Sequence, residues 1–399
     1  MTVAVIASEY NPFHNGHAHH IAETRAAGAT HIVAVMSGNF TQRGTPAAME
    51  KRVRAKAALM GGADVVLELP LPYAMATAQR FALGAVSIAE NMGCADVLSF
   101  GSESGYLSIL QAAANSVDNP AVLARQAELL STGITFAKAR QMAVSELFGD
   151  EIADMLGSPN DLLAVEYIRQ LKAIGSNITP FAVVRSGAKH DEQVASGDIA
   201  SASFIRALMR SGGAAAVKGL VPDLCEQVII QAAEQGLTPF EEKKLETAML
   251  AVLRRITADE LFAAPDISEG IENRIYSAIR QACSLEEVYA LSKSKRYTAA
   301  RIRRIIMSAF LGLPDSLGAE PPPYIRVLGF NAKGREVLAA MRKTARVPVS
   351  DSLAYLRRID DRCAAMADME ARSTDLYMLG LPKQRPCGYD FTADSIRLV

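Results

Sequence analysis

The sequence is short of the features that mark membrane, secreted or disulfide-stabilised proteins. Its 399 residues include five cysteines, an odd number, and no two of them form a Cys-x-x-Cys pair. This usage is typical of a reducing cytoplasm. No apolar run reaches the length that spans a bilayer, and the N-terminus lacks the basic-then-apolar pattern of a signal peptide. We therefore expect a cytoplasmic protein without a membrane segment.

An excess of charge of either sign is also missing. The chain has 42 basic and 43 acidic residues, and its formal net charge is −1. Any contact with nucleic acid must therefore come from a local basic patch. Internal repeats and low-complexity tracts are absent from the sequence. With 50% hydrophobic and 21% charged residues over this length, the composition predicts a globular protein of two domains.

The most informative stretch is a histidine-rich turn near the N-terminus. Residues 3–6 form a short apolar run that predicts a buried strand of a parallel sheet, and Asn11-Pro12 ends it. A helix is expected over residues 15–27, with Gly28 as its stop. Four of the chain's six histidines lie within seven residues, at His14, His17, His19 and His20.

His14 and His17 suit the binding of a polyphosphate. They are three residues apart, so they share one helix face, and Gly16 between them allows close approach to the backbone. A helix N-terminus presents unpaired N–H groups and partial positive charge, and two imidazoles add donors and, if protonated, charge. Such a site stabilises the charge that develops as pyrophosphate leaves. A zinc cluster and a solvated helix surface are the alternatives at this point.

The first half of the chain alternates between strand and helix patterns. This alternation predicts an α/β fold with a Rossmann-like parallel sheet and right-handed crossovers. Pro46 is placed to open one of the helices. Ligands bind beyond the carboxyl ends of such strands, so the His14–His17 turn, the Gln42-Arg43 loop and the Gly101 loop should meet on one rim. Further strands are expected over residues 31–36, 63–70, 95–100 and 179–184.

Between residues 106 and 211 the pattern predicts helices and two binding loops. Residues 106–149 form two or three helices, interpreted as an insertion, and Ser158-Pro159-Asn160-Asp161 opens another helix. The polar segment 186–191 has the composition of a binding loop. Residues 199–206 begin a helix with a serine-rich turn, and its free N–H groups with Ser203 and Arg206 predict a second phosphate pocket.

After Gly212-Gly213 most of the chain has helical patterns. The segment 293–304 carries six basic residues and no acidic one. Its apolar stripe leaves Arg301 and Arg304 on the outer face of the helix, and Tyr297 is placed to stack on a base. This segment is either an RNA-binding surface or a solvated basic face.

Several longer motifs resemble those of the tRNA(Met) cytidine acetate ligase family, within the His-x-Gly-His nucleotidylyltransferase superfamily. The resemblance covers nearly the whole chain. Thr45 departs from it, because the family pattern has an acidic residue there. The matching motifs are residues 9–17 (EYNPFHNGH), 36–44 (MSGNFTQRG), 98–103 (LSFGSE), 158–160 (SPN), 185–187 (RSG), 295–304 (KRYTAARIRR) and 373–377 (STDLY).

The resemblance implies a nucleotidylyltransferase-like catalytic domain over residues 1–211 and a mainly α-helical tRNA-binding domain over 212–399. It implies that ATP and acetate form acetyl-adenylate, and that the acetyl group passes to the wobble cytidine of elongator tRNA(Met), giving N4-acetylcytidine. His14 and His17 would be catalytic, and Mg²⁺ on the phosphates is expected by analogy. The implied tRNA-binding residues are Lys293, Lys295, Arg296, Tyr297, Arg301 and Arg304. The implied ATP-binding residues are Ala7, Ser8, Glu9, Tyr10, Asn11, Pro12, Phe13, His14, Asn15, Gly16, His17, Ala18, His19, His20, Gly101, Asn160 and Arg185.

Two other functions stay open from the residues alone. A small-molecule adenylyltransferase, of the pantetheine-phosphate or nicotinamide-mononucleotide type, would share the His14–His17 turn but not the basic second half. A non-catalytic RNA-binding protein with a nucleotide-type fold would keep its function when both histidines are replaced.

Overall fold

The computed structural model of the chain describes residues 1–185, 200–268, 270–294 and 296–398. Within that part, a single sheet of eight strands organises the fold. The strands are β1 (Val3–Ser8), β2 (His31–Ser37), β3 (Val65–Leu69), β4 (Val97–Ser102), β5 (Thr179–Val184), β6 (Ile325–Phe330), β7 (Val349–Ser350) and β8 (Ile396–Arg397).

The first five strands form the parallel sheet that the sequence predicts. Their order is β5-β4-β1-β2-β3, and every neighbouring pair among them is parallel. β1 lies in the middle, between β2 and β4. Strands buried on both faces need continuous apolar runs, and β2 and β3 are buried at every residue. The turn that follows β1 therefore lies at the centre of the carboxyl edge.

Helices connect these strands, and six of the first ten have a side-chain cap at the N-terminus. Thr77, for example, accepts a hydrogen bond from the Arg80 N–H at the start of α4. Residues 106–149 form three helices, as expected. The helices are α1 (Asn15–Ala26), α2 (Lys51–Met60), α3 (Leu71–Ala74), α4 (Ala78–Asn91), α5 (Leu107–Ser116), α6 (Pro120–Ser131), α7 (Phe136–Phe148), α8 (Asp150–Asp154), α9 (Pro159–Ala173) and α10 (Ala202–Gly212).

The start of α2 corrects one prediction. Pro46 does not open this helix, because it lies in an isolated bridge opposite Phe40. The helix begins at Lys51, where the Glu50 carboxylate accepts the N–H groups of Arg52 and Val53. A carboxylate at an N-cap satisfies the unpaired donors and the positive end of the helix dipole more fully than a proline could.

The second half of the chain is mainly helical, as the sequence predicts, but it also supplies strands. Its β6 pairs antiparallel with β3, and β7 and β8 pair with β6. Short strands of two to six residues have too little periodicity to be told from helix ends. The helices are α11 (Asp223–Glu234), α12 (Glu242–Arg255), α13 (Ala258–Phe262), α14 (Ile271–Gln281), α15 (Leu285–Ser292), α16 (Ala299–Leu311), α17 (Gly334–Thr344), α18 (Leu353–Leu356), α19 (Asp361–Met378) and α20 (Tyr389–Thr392).

The sheet separates two hydrophobic cores. Along β1, Ile6 packs into one core together with Phe13, while Val3 and Val5 pack into the other. This alternation follows from the two-residue period of a strand. The helices α1, α2 and α10 contribute to the first core, and α4 and α9 contribute to the second. Among the described residues, no helix is both long enough and apolar enough to cross a membrane.

A buried ion cluster joins the second half of the chain to the sheet. The Lys51 ammonium nitrogen lies 2.5 Å from Glu68 Oε1 and 2.6 Å from Asp390 Oδ2. Arg326 Nη1 lies 2.9 Å from Glu68 Oε2, and Arg326 Nη2 lies 3.0 Å from Asp390 Oδ1. All four side chains are at most 1% exposed. The cluster therefore connects α2, β3, β6 and α20.

Glu370 completes this cluster as a neutral acid. Burial, with the negative charge of Glu68, raises the pKa of Glu370 to about 8. The Glu68, Glu370 and Asp390 oxygens lie within 4.8 Å of one another, a spacing that could hold a metal ion. Lys51 lies at hydrogen-bond distance from two of these carboxylates, so the ammonium group already supplies the positive charge that they need.

Candidate active site

A cleft of about 320 Å³ lies at the carboxyl edge of the parallel strands. The ends of β1, β4 and β5 and the starts of α1, α9 and α10 line it, so the loops that the sequence placed on one rim do meet. The predicted residues that line the cleft are Ala7, Ser8, Glu9, Tyr10, Asn11, His14, Gly16, His17, His19, His20, Gly101, Asn160, Arg185, Ser203 and Arg206.

Four predicted ATP-binding residues do not line this cleft. Phe13 is fully buried, and its ring occupies the space where a Cβ on Gly61 would lie. Ala18 packs on the same core. Asn15 donates from its amide to the Gly219 carbonyl, 2.9 Å away, and Pro12 is buried in the turn. These residues shape the turn from behind.

The two motif histidines cap the helix that they begin. His14 is the N-cap of α1, and its Nδ1 accepts the Gly16 N–H at 3.1 Å. His17 Nδ1 accepts the His14 N–H at 3.2 Å, which completes a reciprocal capping box. The two rings stack with their centroids 3.7 Å apart. Because both Nδ1 atoms accept backbone hydrogen bonds, a neutral ring carries its proton on Nε2 and is a donor there.

Both rings are neutral in the ligand-free protein. Burial, with the positive charges of Arg185 and Arg206, lowers the pKa of His14 to about 3. His17 keeps part of its surface open to the cleft, but the surrounding protein removes enough water to lower its pKa well below the usual value, and His14 adds to this effect. The permanent positive charge near the turn therefore belongs to the two arginines, and the histidines contribute N–H donors.

Tyr10 fixes the path of the chain between β1 and α1. Its φ of 45° is in the left-handed region, which a non-glycine residue adopts at a cost of about 1 kcal/mol or more. Its ring packs against Phe13 and His17, with centroids 4.9 and 4.8 Å away. The Asn11 carbonyl accepts a hydrogen bond from Arg206 Nη1 at 2.8 Å. Packing and this hydrogen bond hold the strained turn in place.

Arg54 organises the neighbouring loops, a role that the sequence pattern did not predict. Its guanidinium is fully buried and donates to the carbonyl of Glu9, 2.5 Å away, and to the carbonyl of Gly38. The Glu9 carboxylate in turn accepts the Gln42 N–H at 2.8 Å. The ends of β1 and β2 are thus connected through α2. Nothing in the local pattern of α2 distinguishes Arg54 from its other basic residues.

The opposite wall of the cleft depends on Glu103 and Asp161, two acidic residues to which the sequence analysis assigned no role in binding. Asn160 Nδ2 donates to Glu103 Oε1 at 2.5 Å, and the Asp161 N–H donates to Glu103 Oε2 at 2.9 Å. Asp161 Oδ1 accepts the Glu103 N–H at 3.0 Å. Arg185 Nη1 lies 3.4 Å from Asn160 Oδ1. The start of α9 and the loop after β4 therefore hold Asn160 and Arg185 together.

The serine-rich turn of α10 opens into the same cleft. Ser201 is the N-cap of this helix and accepts the Phe204 N–H at 3.2 Å, while Ser203 Oγ lies 2.9 Å from Ser201 Oγ. Ser201, Ser203 and Arg206 line the cleft together with His14 and His17. The sequence suggested a second phosphate pocket here, but the two helix N-termini face one cavity. The segment 186–191 lies outside the described residues.

The predicted RNA-binding segment lies outside this cleft. Lys293 and Arg296 are exposed, and Lys295 lies outside the described residues. Arg301 Nε donates to the Asp266 carbonyl at 3.1 Å, and its guanidinium lies 5.2 Å from the Tyr297 ring centroid.

Arg304 differs from its predicted place on the outer face. Its side chain is 12% exposed, because Arg304 Nε pairs with Asp266 Oδ2 at 2.5 Å. Arg303 is the exposed residue at this point of the helix. The stripe of isoleucines predicted the buried face of α16, but it gave no information about an acidic partner from a separate loop.

One glycine brings the cleft into contact with α16. Gly44 belongs to the loop whose residues Thr41, Gln42, Arg43 and Thr45 line the cleft. Its φ is +75°, and a Cβ built on it would lie 2.4 Å from the Arg304 backbone nitrogen. Only a glycine fits this contact without displacement.

The arrangement suits an anionic, phosphate-bearing ligand. It offers the imidazole N–H donors of His14 and His17, the guanidinium groups of Arg43, Arg185 and Arg206, and the N-termini of α1 and α10. Among the described lining residues, Glu9 is the one carboxylate, and it already accepts the Gln42 N–H. Mg²⁺ is usually held by one or two carboxylates together with the phosphates of a substrate, so this lining suits a metal ion that arrives with its ligand.

Comparisons with known proteins agree with this geometry. The family model described as HIGH Nucleotidyl Transferase matches residues 1–389. The tRNA(Met) cytidine acetate ligase of Thermoanaerobacter pseudethanolicus is 37% identical over 406 residues, which cover 100% of both chains. The protein of the same name from Syntrophotalea carbinolica is 39% identical over 402 residues, covering 96% of this chain and 95% of the relative.

Two solved structures have the same fold over their full length. Apo TmcAL from Thermotoga maritima superposes with a TM-score of 0.94 at 33% identity. The same protein bound with alpha-thio ATP gives a TM-score of 0.93 at 32% identity. Each comparison covers 100% of both chains. The chain therefore belongs to the HIGH nucleotidyl transferase family, among the proteins named tRNA(Met) cytidine acetate ligase.

Proposed function

We propose that this protein is an ATP-dependent tRNA(Met) cytidine acetate ligase. It activates acetate as acetyl-adenylate and transfers the acetyl group to the wobble cytidine of elongator tRNA(Met), giving N4-acetylcytidine. The observation that carries the proposal is the full-length match to ligases of this name, in a chain whose cleft gathers the His14–His17 turn, Arg185 and Arg206. An ATP analogue bound to the Thermotoga maritima relative supports ATP as the nucleotide substrate.

The first step needs an acetate oxygen to attack the α-phosphorus of ATP. As that bond forms, the bond from the α-phosphorus to the bridging oxygen breaks, and the electron pair leaves with pyrophosphate. His14 and His17 donate from Nε2 to the phosphate oxygens that gain charge, while Arg185 and Arg206 supply positive charge. Bringing the reactants together in line contributes the remaining advantage.

Bound phosphates also change the state of the two histidines. A triphosphate brings several negative charges beside rings that are neutral without it, so its binding raises the pKa of each ring. Mg²⁺ enters this proposal with the substrate, bound to the ATP phosphates, because the described lining of the cleft offers it only the Glu9 carboxylate.

In the second step the exocyclic amine of the cytidine attacks the acetyl carbon, AMP leaves with the electron pair of the broken bond, and the amine loses one proton. This step requires a base that is free of pairing, which a single-stranded anticodon loop provides. We assign residues 1–211 to catalysis, since every described residue that lines the cleft lies between Ile6 and Arg206. We assign residues 212–399 to tRNA binding, with the exposed Lys293 and Arg296 as contacts. The same proposal places the protein in the cytoplasm, where tRNA is found.

Labelled acetate tests this function directly. Purified protein with ATP, labelled acetate and elongator tRNA(Met) should yield labelled N4-acetylcytidine after digestion of the tRNA. The same tRNA with uridine at the wobble position is the matched control and should stay unlabelled. His17→Asn should lower the rate by about 10²–10³, as for the loss of one donor to a developing oxyanion. Adenylyl transfer to a phosphorylated metabolite, with no label in tRNA, would instead identify a small-molecule adenylyltransferase.

A further inference from the structure

Part of the cleft lining is apolar and buried. Phe81 on α4, Phe100 on β4, and Leu163 and Tyr167 on α9 form this part. The rings of Phe100 and Tyr167 have centroids 5.8 Å apart. Phe81, Phe100 and Tyr167 are each no more than 4% exposed. A hydrocarbon group that packs here would be removed from water, which is energetically favourable.

One polar atom in this apolar wall lacks a partner. The Tyr167 hydroxyl is buried and makes no hydrogen bond. An unpaired buried hydroxyl costs about 1–3 kcal/mol, so such groups are uncommon in folded proteins. Burial, with the negative charge of Glu9, raises the pKa of Tyr167, so the hydroxyl keeps its proton. It is therefore an unused hydrogen-bond donor on a residue that lines the cleft.

We propose that Phe81, Phe100, Leu163 and Tyr167 form the acyl recess, a binding site for a short monocarboxylate. The methyl group packs against Phe81, Phe100 and Leu163, and one carboxylate oxygen accepts a hydrogen bond from Tyr167. This inference rests on the proposed function, and it adds the residues that determine which carboxylic acid is the substrate.

The position of the recess suits in-line displacement of pyrophosphate by acetate. His14 and Arg206 belong to helices that pack on one hydrophobic core, and the residues of the recess pack on the other core across the sheet. The cleft thus extends from one face of the sheet to the other over the carboxyl edge. In-line attack needs the entering oxygen and the leaving pyrophosphate on opposite sides of the α-phosphorus, and these two walls provide that separation.

Two features set the specificity of the recess. The aromatic rings and Leu163 close the apolar side, which favours a short acyl chain. Glu9 also lines the cleft, and its negative charge contributes to the raised pKa of Tyr167. A second carboxylate on the substrate would be repelled by Glu9, so the recess selects an acid with a single negative charge.

Exchange of labelled pyrophosphate into ATP, dependent on acetate, measures this step by itself. Tyr167→Phe should raise the KM for acetate about tenfold, the loss expected for one hydrogen bond to a charged group, and should leave the KM for ATP unchanged. The matched control is Tyr324→Phe, because the Tyr324 hydroxyl is also buried without a partner but does not line the cleft. This control should keep the wild-type KM for acetate.

Leu163→Ala tests the apolar side. It should raise the kcat/KM for propionate relative to acetate by about tenfold, because one methylene is worth that much in a hydrophobic pocket. An unchanged acetate KM in Tyr167→Phe, or an equal rise for acetate and ATP, would overturn the recess. No acetate-dependent exchange by the wild-type protein, with or without tRNA, would instead overturn the proposed function.

Discussion

Replacing Lys51 by methionine should destabilise the whole protein while leaving the cleft chemistry in place. The Lys51 ammonium is fully buried and lies within 2.6 Å of two carboxylates. At pH 7 Glu370 is neutral, because burial beside Glu68 raises its pKa to about 8. The cluster then balances. Arg52 extends the cluster, because it pairs with Asp390 at 2.8 Å and with Glu50 at 3.2 Å. The cations are then Lys51, Arg52 and Arg326, and the anions are Glu50, Glu68 and Asp390.

Methionine fills a similar volume but leaves one negative charge uncompensated. Removing one partner from a buried ion pair costs about 3–5 kcal/mol, and a folded protein of ordinary stability has only about 5–15 kcal/mol to lose. Urea unfolding at pH 7, followed by circular dichroism, measures the change. Adding Glu68→Gln should recover much of the loss because it restores the balance of charge.

The matched control for Lys51→Met lies on the same helix. Lys56 donates to Gln231 Oε1 at 3.3 Å and has no carboxylate partner among the described residues. Lys56→Met should change the unfolding free energy by no more than about 0.5 kcal/mol. A Lys51→Met protein as stable as this control, or a double variant no better than the single one, would refute the electrostatic account of the cluster.

Two further predictions concern pH and salt. The pKa of Glu370 is about 8 in the folded protein and about 4.5 in the unfolded chain, so its contribution to stability is complete below pH 4.5 and is lost as the pH rises through 8. This loss amounts to about 1.4 kcal/mol per pH unit between the two pKa values, and Glu370→Gln should lack it in urea unfolding. Parallel pH profiles of the wild-type protein and the variant would contradict the prediction. Arg296→Ala should weaken tRNA binding and lower the salt slope by about one or less, because Arg296 is exposed. Arg304→Ala should chiefly lower thermal stability, because Arg304 is paired with Asp266. Equal salt slopes in a filter-binding titration would refute the distinction.

Local sequence patterns indicated a candidate site where one short segment contains the strand, the turn and the functional side chains together. β1, the turn and α1 follow each other directly, so a strand signal, a proline and a pair of histidines three residues apart were enough to indicate an anion site. The parallel orientation of the first five strands follows from their alternation with helices. Ser203 and Arg206 were also predicted to bind phosphate, but whether they share a cavity with His14 depends on tertiary packing.

Long-range partners could not be predicted in this way. Asp390 is 339 residues away from Lys51, and neither residue differs locally from a solvated charge. The same holds for Arg54, whose role depends on carbonyls at the ends of two separate strands. The strand β6 was missed because a run of six residues is too short for its periodicity to distinguish a strand from a buried helix segment. Charged side chains receive their roles from partners that only the fold brings close.

The missing side chain at Gly44 has a consequence for how the two substrates influence each other. The loop that borders the cleft touches the α16 backbone at Arg304, without a layer of side chains that could absorb movement. A shift of either partner must therefore displace the other. Affinity for ATP and affinity for RNA should change together when alanine replaces this glycine, although residue 44 has no side chain that could bind either one.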